Sequence, residues 1–130
     1  MKILILGSGG REHALGWAAR EADPQAQLLF APGNAGTAAL GRNVTIALND
    51  LDALVAFAEA ERPEFTLVGP EGPLVAGVVD RFRARGLAIF GPTQRAAEIE
   101  GSKVFAKDLL RASGVATAAY ETFHDGAEAR

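Results

Sequence analysis

Cysteine is absent from the 130 residues, methionine, tryptophan and tyrosine occur once each, and histidine occurs twice. Without thiols there is no disulfide framework and no thiolate metal site, which suits a reducing, cytoplasmic setting. Positive charge is also scarce. Thirteen Lys and Arg stand against 16 Asp and Glu, a net charge of −3, and their scatter excludes a broad electrostatic grip on nucleic acid. The leading apolar run, Ile3 to Leu6, is far too short to span a bilayer, and no signal-type cleavage site follows it. The chain therefore reads as soluble and cytoplasmic, with no membrane partner. At 48% hydrophobic residues it can bury one core.

Apolar periodicity alternates between strand and helix along the chain, which predicts an α/β fold: an open parallel sheet with helices on both faces. Lys2-Ile3-Leu4-Ile5-Leu6 is continuously apolar after its first residue and reads as a central strand covered on both sides. A helix follows with a stripe of Ala14, Leu15, Ala18 and Ala22, stopping before Pro24. Further strands are predicted over 27–31, 43–48, 65–68 and 87–90. Asn49 or Asp50 caps a helix with Leu51, Leu54, Val55 and Ala58 inward, ended by Pro63. Pro73 opens another carrying Leu74, Val75, Val78 and Phe82, with Gly86 as its terminator, and Thr93 caps the next.

Where the first strand ends, Gly7-Ser8-Gly9-Gly10 turns the backbone sharply, and a helix aims its positive dipole end at the turn. That is an anion cradle, suited to phosphate. The dinucleotide pattern G-x-G-x-x-G fails here, because its third place is Glu12 and the second strand ends in Ala31-Pro32-Gly33 where a ribose-binding acid belongs. Gly101-Ser102-Lys103 lacks the upstream glycine and following hydroxyl of a P-loop. A cation at a helix start, such as Arg11, opposes the dipole and is better tolerated beside an anion. Glu12 suits the dipole, and His13 reads as a surface or packing residue.

Three more strands end in small, sharply turning segments: Ala31 to Gly36, Gly69 to Gly72, and Gly91-Pro92. In a parallel sheet all four turns open on one edge, where the ligand crevice of open α/β folds lies. Each alone also serves as mere punctuation between elements. Glu71, held between Pro70 and Gly72-Pro73, suits ribose hydroxyls and equally suits a helix dipole.

Ser102 caps a helix through Ser113 that Gly114 closes, with Phe105, Leu109 and Ala112 on one face. Lys103, Lys107 and Arg111 fall at i, i+4 and i+8, a stripe open to two readings: a solvated face paired with Glu100 and Asp108, or a polyphosphate contact. Val115 to Phe123 reads as a connecting strand, and His124-Asp125-Gly126 as a turn. Ala127 to Arg130 resembles a first helical turn with no apolar face to bury, which fits a longer protein cut short.

Several of these segments recur together in fixed order: Gly7-Ser8-Gly9-Gly10-Arg11-Glu12-His13-Ala14-Leu15, Ala31-Pro32-Gly33-Asn34-Ala35-Gly36-Thr37, Val68-Gly69-Pro70-Glu71, Pro73-Leu74-Val75-Ala76-Gly77, Phe90-Gly91-Pro92 and Glu100-Gly101-Ser102-Lys103. Over nearly the whole chain they resemble the amino-terminal part of the phosphoribosylamine–glycine ligase family, the glycinamide ribonucleotide synthetases. The resemblance implies an ATP-grasp ligase of purine biosynthesis that joins glycine to 5-phosphoribosylamine through a glycyl phosphate, using ATP and Mg2+ or Mn2+. It implies that residues 1–101 are a Rossmann-like domain preceding the ATP-grasp fold and that 102–130 are an incomplete start of that fold. It further implies that Gly9, Gly10 and Arg11 hold the sugar phosphate, Glu71 the ribose hydroxyls, and Lys103 and, more weakly, Lys107 the ATP phosphates. The metal carboxylates, the adenine lid and most of the glycine site lie downstream in that family, so catalysis by this chain alone is not expected. No motif encodes an oligomeric state. Two rival readings are a nicotinamide-dependent oxidoreductase domain and a stand-alone, non-catalytic phosphate-ligand module.

Overall fold

The computed structural model describes residues 1–123 and 125–127. Five parallel strands form one sheet in the order β3-β2-β1-β4-β5. They are β1 (Lys2–Gly7), β2 (Gln27–Pro32), β3 (Arg42–Asn43), β4 (Phe65–Val68) and β5 (Ile89–Phe90). β1 lies at the centre, pairing Ile3 to Gly7 with Leu28 to Pro32 on one side and Ile3 to Leu6 with Phe65 to Val68 on the other. Its side chains alternate between two cores. Ile3 and Ile5 join Leu28 and Phe30 beneath α1 (Gly10–Ala22), with Leu40, just after α2 (Ala35–Ala38), packed on the same cluster. Leu4 and Leu6 join Leu29, Ala31 and the inward faces of α3 (Leu51–Glu61), α4 (Glu71–Val75) and α5 (Val78–Ala84). A strand that feeds both faces must be apolar at every position, which is why β1 shows no polar alternation. Burying Phe30 and Phe82, both fully inaccessible, contributes about 1.5–3 kcal/mol each.

The predicted α3 forms as its pattern requires, with Asp50 as N-cap accepting from Ala53 N–H at 3.0 Å and Leu51, Leu54, Val55 and Ala58 buried. Other expectations are corrected. The first helix does not bury its alanine stripe: Ala14, Ala18 and Ala22 are exposed, and Leu15, Gly16 and Ala19 face the sheet. The cause is Gly16, where a Cβ would stand 2.5 Å from Phe30 Cζ, so this residue sets the line of closest approach. The third strand pairs only over Arg42–Asn43, because beyond Val44 N–H, which still donates to Phe30 O at 2.8 Å, the chain leaves the sheet edge. Val44, Ile46 and Leu48 pack on the core without a ladder. The helix expected from Pro73 to Gly86 is two, α4 and α5, broken where Gly77 adopts φ +89°. β5 is likewise shortened to two residues.

α6 (Gln94–Gly101), capped by Thr93, and α7 (Lys103–Ala112), capped by Ser102, complete the element order. α7 buries no residue. Residues 115–123 form no strand; instead they lie along α7, with Lys107 Nζ donating to Thr117 Oγ1 at 2.6 Å and to Ala118 O at 3.1 Å. A turn forms at 125–127, where Ala127 N–H donates to Asp125 Oδ1 at 2.8 Å. His124 and residues 128–130, and with them most of the expected final helical turn, lie outside the described residues. No helix among the described residues is long and apolar enough to cross a membrane.

Candidate functional site at the carboxyl edge of the sheet

Because all five strands run parallel, the turns after β1, β2 and β4 converge. The converging turns are cross-linked by hydrogen bonds. Gly33 N–H donates to Gly7 O and Gly69 N–H to Leu6 O, each at 3.0 Å. Asn34 Nδ2 donates to Ser8 O at 2.9 Å and Gly9 O at 3.2 Å, fastening the β2 turn to the glycine loop. The Arg11 guanidinium donates to the Gly69 carbonyl, fastening the same loop to the β4 turn. Between them opens a cleft of about 350 Å³ lined by Ser8 to Glu12, Leu48, Pro70 and Glu71.

Gly7, at φ +134°, turns the chain out of β1, and Gly9 is the extended N-cap of α1. The first intrahelical bond is His13 N–H to Gly9 O at 3.2 Å. The preceding amides of Gly10 and Arg11 have no acceptor among the described residues and stand at the positive end of a 13-residue helix. Gly9 N–H is already engaged, donating to Glu12 Oε2 at 2.5 Å. Glu12 is only 4% exposed. Neither its burial nor its use of the Gly9 amide is visible in the pattern, which shows only an acid in the first turn. Glu71 begins α4 next to N-cap Pro70 and is exposed on the opposite wall.

The structure thus gathers four of the six candidate residues, Gly9, Gly10, Arg11 and Glu71, around one cleft. Lys103 and Lys107 do not line it. Lys103 is exposed at the start of α7, and Lys107 is occupied with Thr117 and Ala118. The remainder of the basic stripe has a local partner: the Arg111 guanidinium lies 4.3 Å from the centre of the Tyr120 ring, an attractive cation–π arrangement. Tyr120 OH donates to Asp108 Oδ1 at 2.5 Å, and that bond raises the phenol above its ordinary 10.0. His13 is exposed and touches the position a Gly36 side chain would occupy.

A supporting network behind the glycine loop escaped the sequence reading. Thr37 is fully buried; its N–H donates to Asn34 Oδ1 at 3.0 Å, and its hydroxyl accepts from Asn34 N–H at 2.7 Å. Asn43 Nδ2, from β3, donates to Asn34 O at 2.7 Å. The signal was present as Asn34-x-x-Thr37, a reciprocal capping pattern. These bonds fix the Asn34 amide that holds Ser8 and Gly9. Among the described residues no three His, Asp or Glu side chains form a group that could hold a metal ion.

Residues 1–100 match the family model described as phosphoribosylglycinamide synthetase, N domain. The chain is 59% identical over 122 residues to a phosphoribosylamine–glycine ligase of Xanthomonas campestris pv. campestris, covering 92% of this chain and 28% of the relative. It is 57% identical over 126 residues to the corresponding Vibrio cholerae ligase, covering 95% and 29%. A crystal structure of phosphoribosylamine–glycine ligase from Thermotoga maritima superposes with a TM-score of 0.65 at 33% identity, covering 93% of this chain and 27% of that one. The chain therefore spans less than a third of the length of the curated relatives it matches.

Proposed function

The chain belongs to the phosphoribosylglycinamide synthetase N-domain family, and from that premise we propose that it is the sugar-phosphate-binding portion of a phosphoribosylamine–glycine ligase. The activity of the whole protein, on this reading, is the ATP-dependent joining of glycine to 5-phosphoribosylamine in purine biosynthesis. Residues 1–101 form the substrate domain, and the ATP-grasp portion starts at Ser102. The change in packing at that point supports the boundary: among the described residues the last buried apolar one is Ala97, and α7 buries none.

One observation carries the reading: unpaired Gly10 and Arg11 amides, a guanidinium and a carboxylate on the facing wall line a single cleft. The amides and the dipole of α1 hold the phosphate, and Arg11 adds charge from donors left over after its bond to Gly69. Glu71 accepts from the ribose hydroxyls. Fixing the sugar at both ends presents its amine in one orientation, a contribution of position rather than proton transfer. Among the described residues no three His, Asp or Glu are grouped to hold the divalent metal. Nor do the described residues enclose a nucleotide, because Lys103 is exposed on a helix with no buried face, and Lys107 and Arg111 of the same stripe are engaged with residues 117, 118 and 120. No step is assigned to either.

Calorimetric titration with ribose 5-phosphate, ribose and NADH tests the assignment. Saturable heat is expected with ribose 5-phosphate and not with ribose, and Arg11→Ala should weaken binding about tenfold. Saturation by NADH with no response to the sugar phosphate would favour a nicotinamide-binding domain instead.

A further inference from the structure

Glu12 stands where a dinucleotide-binding loop has its third glycine, and the surrounding backbone is built to admit it. A Cβ at Gly7 would lie 2.5 Å from Glu12 Cδ, one at Gly9 would lie 3.0 Å from Oε2, and one at Gly69 would overlap Oε1. Three glycines from two different turns thus surround one acidic side chain. Gly7 is required by its positive φ in any case, but Gly9 and Gly69 have φ outside the left-handed region, so their missing side chains answer to space rather than to backbone conformation. Inside that chamber the carboxylate has one task that the geometry shows, accepting Gly9 N–H at 2.5 Å.

An acid placed beside an anion cradle is a liability, since its charge repels a phosphate. Its presence needs a compensating role. The Gly9 amide belongs to the N-cap residue of α1 and has no intrahelical acceptor, so a side chain must hold it. Bonded to Glu12 it is committed within the loop, which leaves the amides of Gly10 and Arg11, beside the same cleft, without an acceptor among the described residues. We propose that Glu12 is a positioning residue for the sugar-phosphate cleft: seated among Gly7, Gly9 and Gly69, it locks the glycine loop so that the Gly10 and Arg11 amides are presented as a pair. The inference rests on the proposed function for the identity of the ligand, but not for the lock itself.

Two readouts on the 130-residue chain separate these. Hydrogen exchange at the Gly9 amide reports the lock without any ligand: protection is expected in the natural sequence and in Glu12→Gln, whose carbonyl still accepts, and its loss in Glu12→Ala. Ribose 5-phosphate affinity reports the consequence. Glu12→Ala should weaken it about tenfold or more, as expected for losing a buried bond to a charged acceptor, while Glu12→Gln should bind as well as the natural protein or more tightly, since it keeps the acceptor and removes a negative charge. Should Glu12→Ala unfold, Gly69→Ala provides the second route: its methyl evicts the carboxylate, so Gly9 protection should fall while Gly69→Ala paired with Glu12→Gly regains a stable fold. Unchanged Gly9 exchange in Glu12→Ala, or equal ribose 5-phosphate affinity in Glu12→Ala and the natural chain, would overturn the proposal. If Gly9 is protected as expected and ribose 5-phosphate does not bind at all, the lock stands and the ligand assignment alone falls.

Discussion

α3 and α7 are similar helices in different company. Each has a polar N-cap whose side chain accepts from the third helical amide, Asp50 from Ala53 and Ser102 from Phe105, and each has an apolar stripe. α3 buries four residues of that stripe against the sheet, whereas Phe105 and Leu109 on α7 remain 37% and 39% exposed. Local sequence therefore determines that a helix forms and which side is apolar, but the energetic value of that side depends on what covers it. The covered region is the one the family model matches, and the candidate cleft lies wholly within it.

Substitutions at equivalent places should separate the two regions. Leu54→Ala, at a fully buried position of α3, is expected to cost about 2–5 kcal/mol, whereas Leu109→Ala on α7 should change stability by no more than about 0.5 kcal/mol; urea denaturation of both variants checks this, and equal losses would break the comparison. Within the covered region, Gly16→Ala should destabilise by about 1–3 kcal/mol, because overpacking against Phe30 outweighs the roughly 1 kcal/mol gained in helix propensity. Thermal unfolding measures the sign. Thr66→Val should have the opposite sign: its hydroxyl is buried in the β4 core face with no partner, and its removal is expected to raise stability by about 1 kcal/mol.

The smallest effect concerns the amino edge of the sheet, far from the cleft. Glu61 accepts from Arg42 and from Lys2 Nζ, the latter at 3.2 Å. These bonds, Arg42's first, hold its carboxyl below the ordinary 4.5. A depressed folded value stabilises above the unfolded one, and the contribution is lost as pH falls through the folded value. The stability gap between the natural chain and Glu61→Gln should therefore be open at neutral pH and close with acidification below 4.5. A gap that widened in acid would contradict the assignment.

The comparison also explains what was legible beforehand. β1, β4, the buried face of α3 and the caps at Thr93 and Ser102 follow from periodicity and local hydrogen bonding, and each formed where its residues predicted. Convergence of Gly9, Gly10, Arg11 and Glu71 followed from parallel topology alone. The break at Gly77 is local, but the other failures share one cause, dependence on neighbours outside the segment. The face of α1 was set by Phe30 through Gly16, the length of β3 by the chain's departure from the edge of β2 after Val44, and residues 115–123 lie along α7 with Lys107 bonded to Thr117 and Ala118 instead of forming the expected strand. Glu12 is the sharpest case, for its surroundings include Gly69, 57 positions away.

The most direct measurement is a crystal of the chain soaked with ribose 5-phosphate. The account predicts the phosphoryl oxygens within hydrogen-bond distance of the Gly10 and Arg11 amides and the ribose hydroxyls on Glu71. Phosphate density at Lys103 or elsewhere on the surface, with the glycine loop vacant, would contradict it.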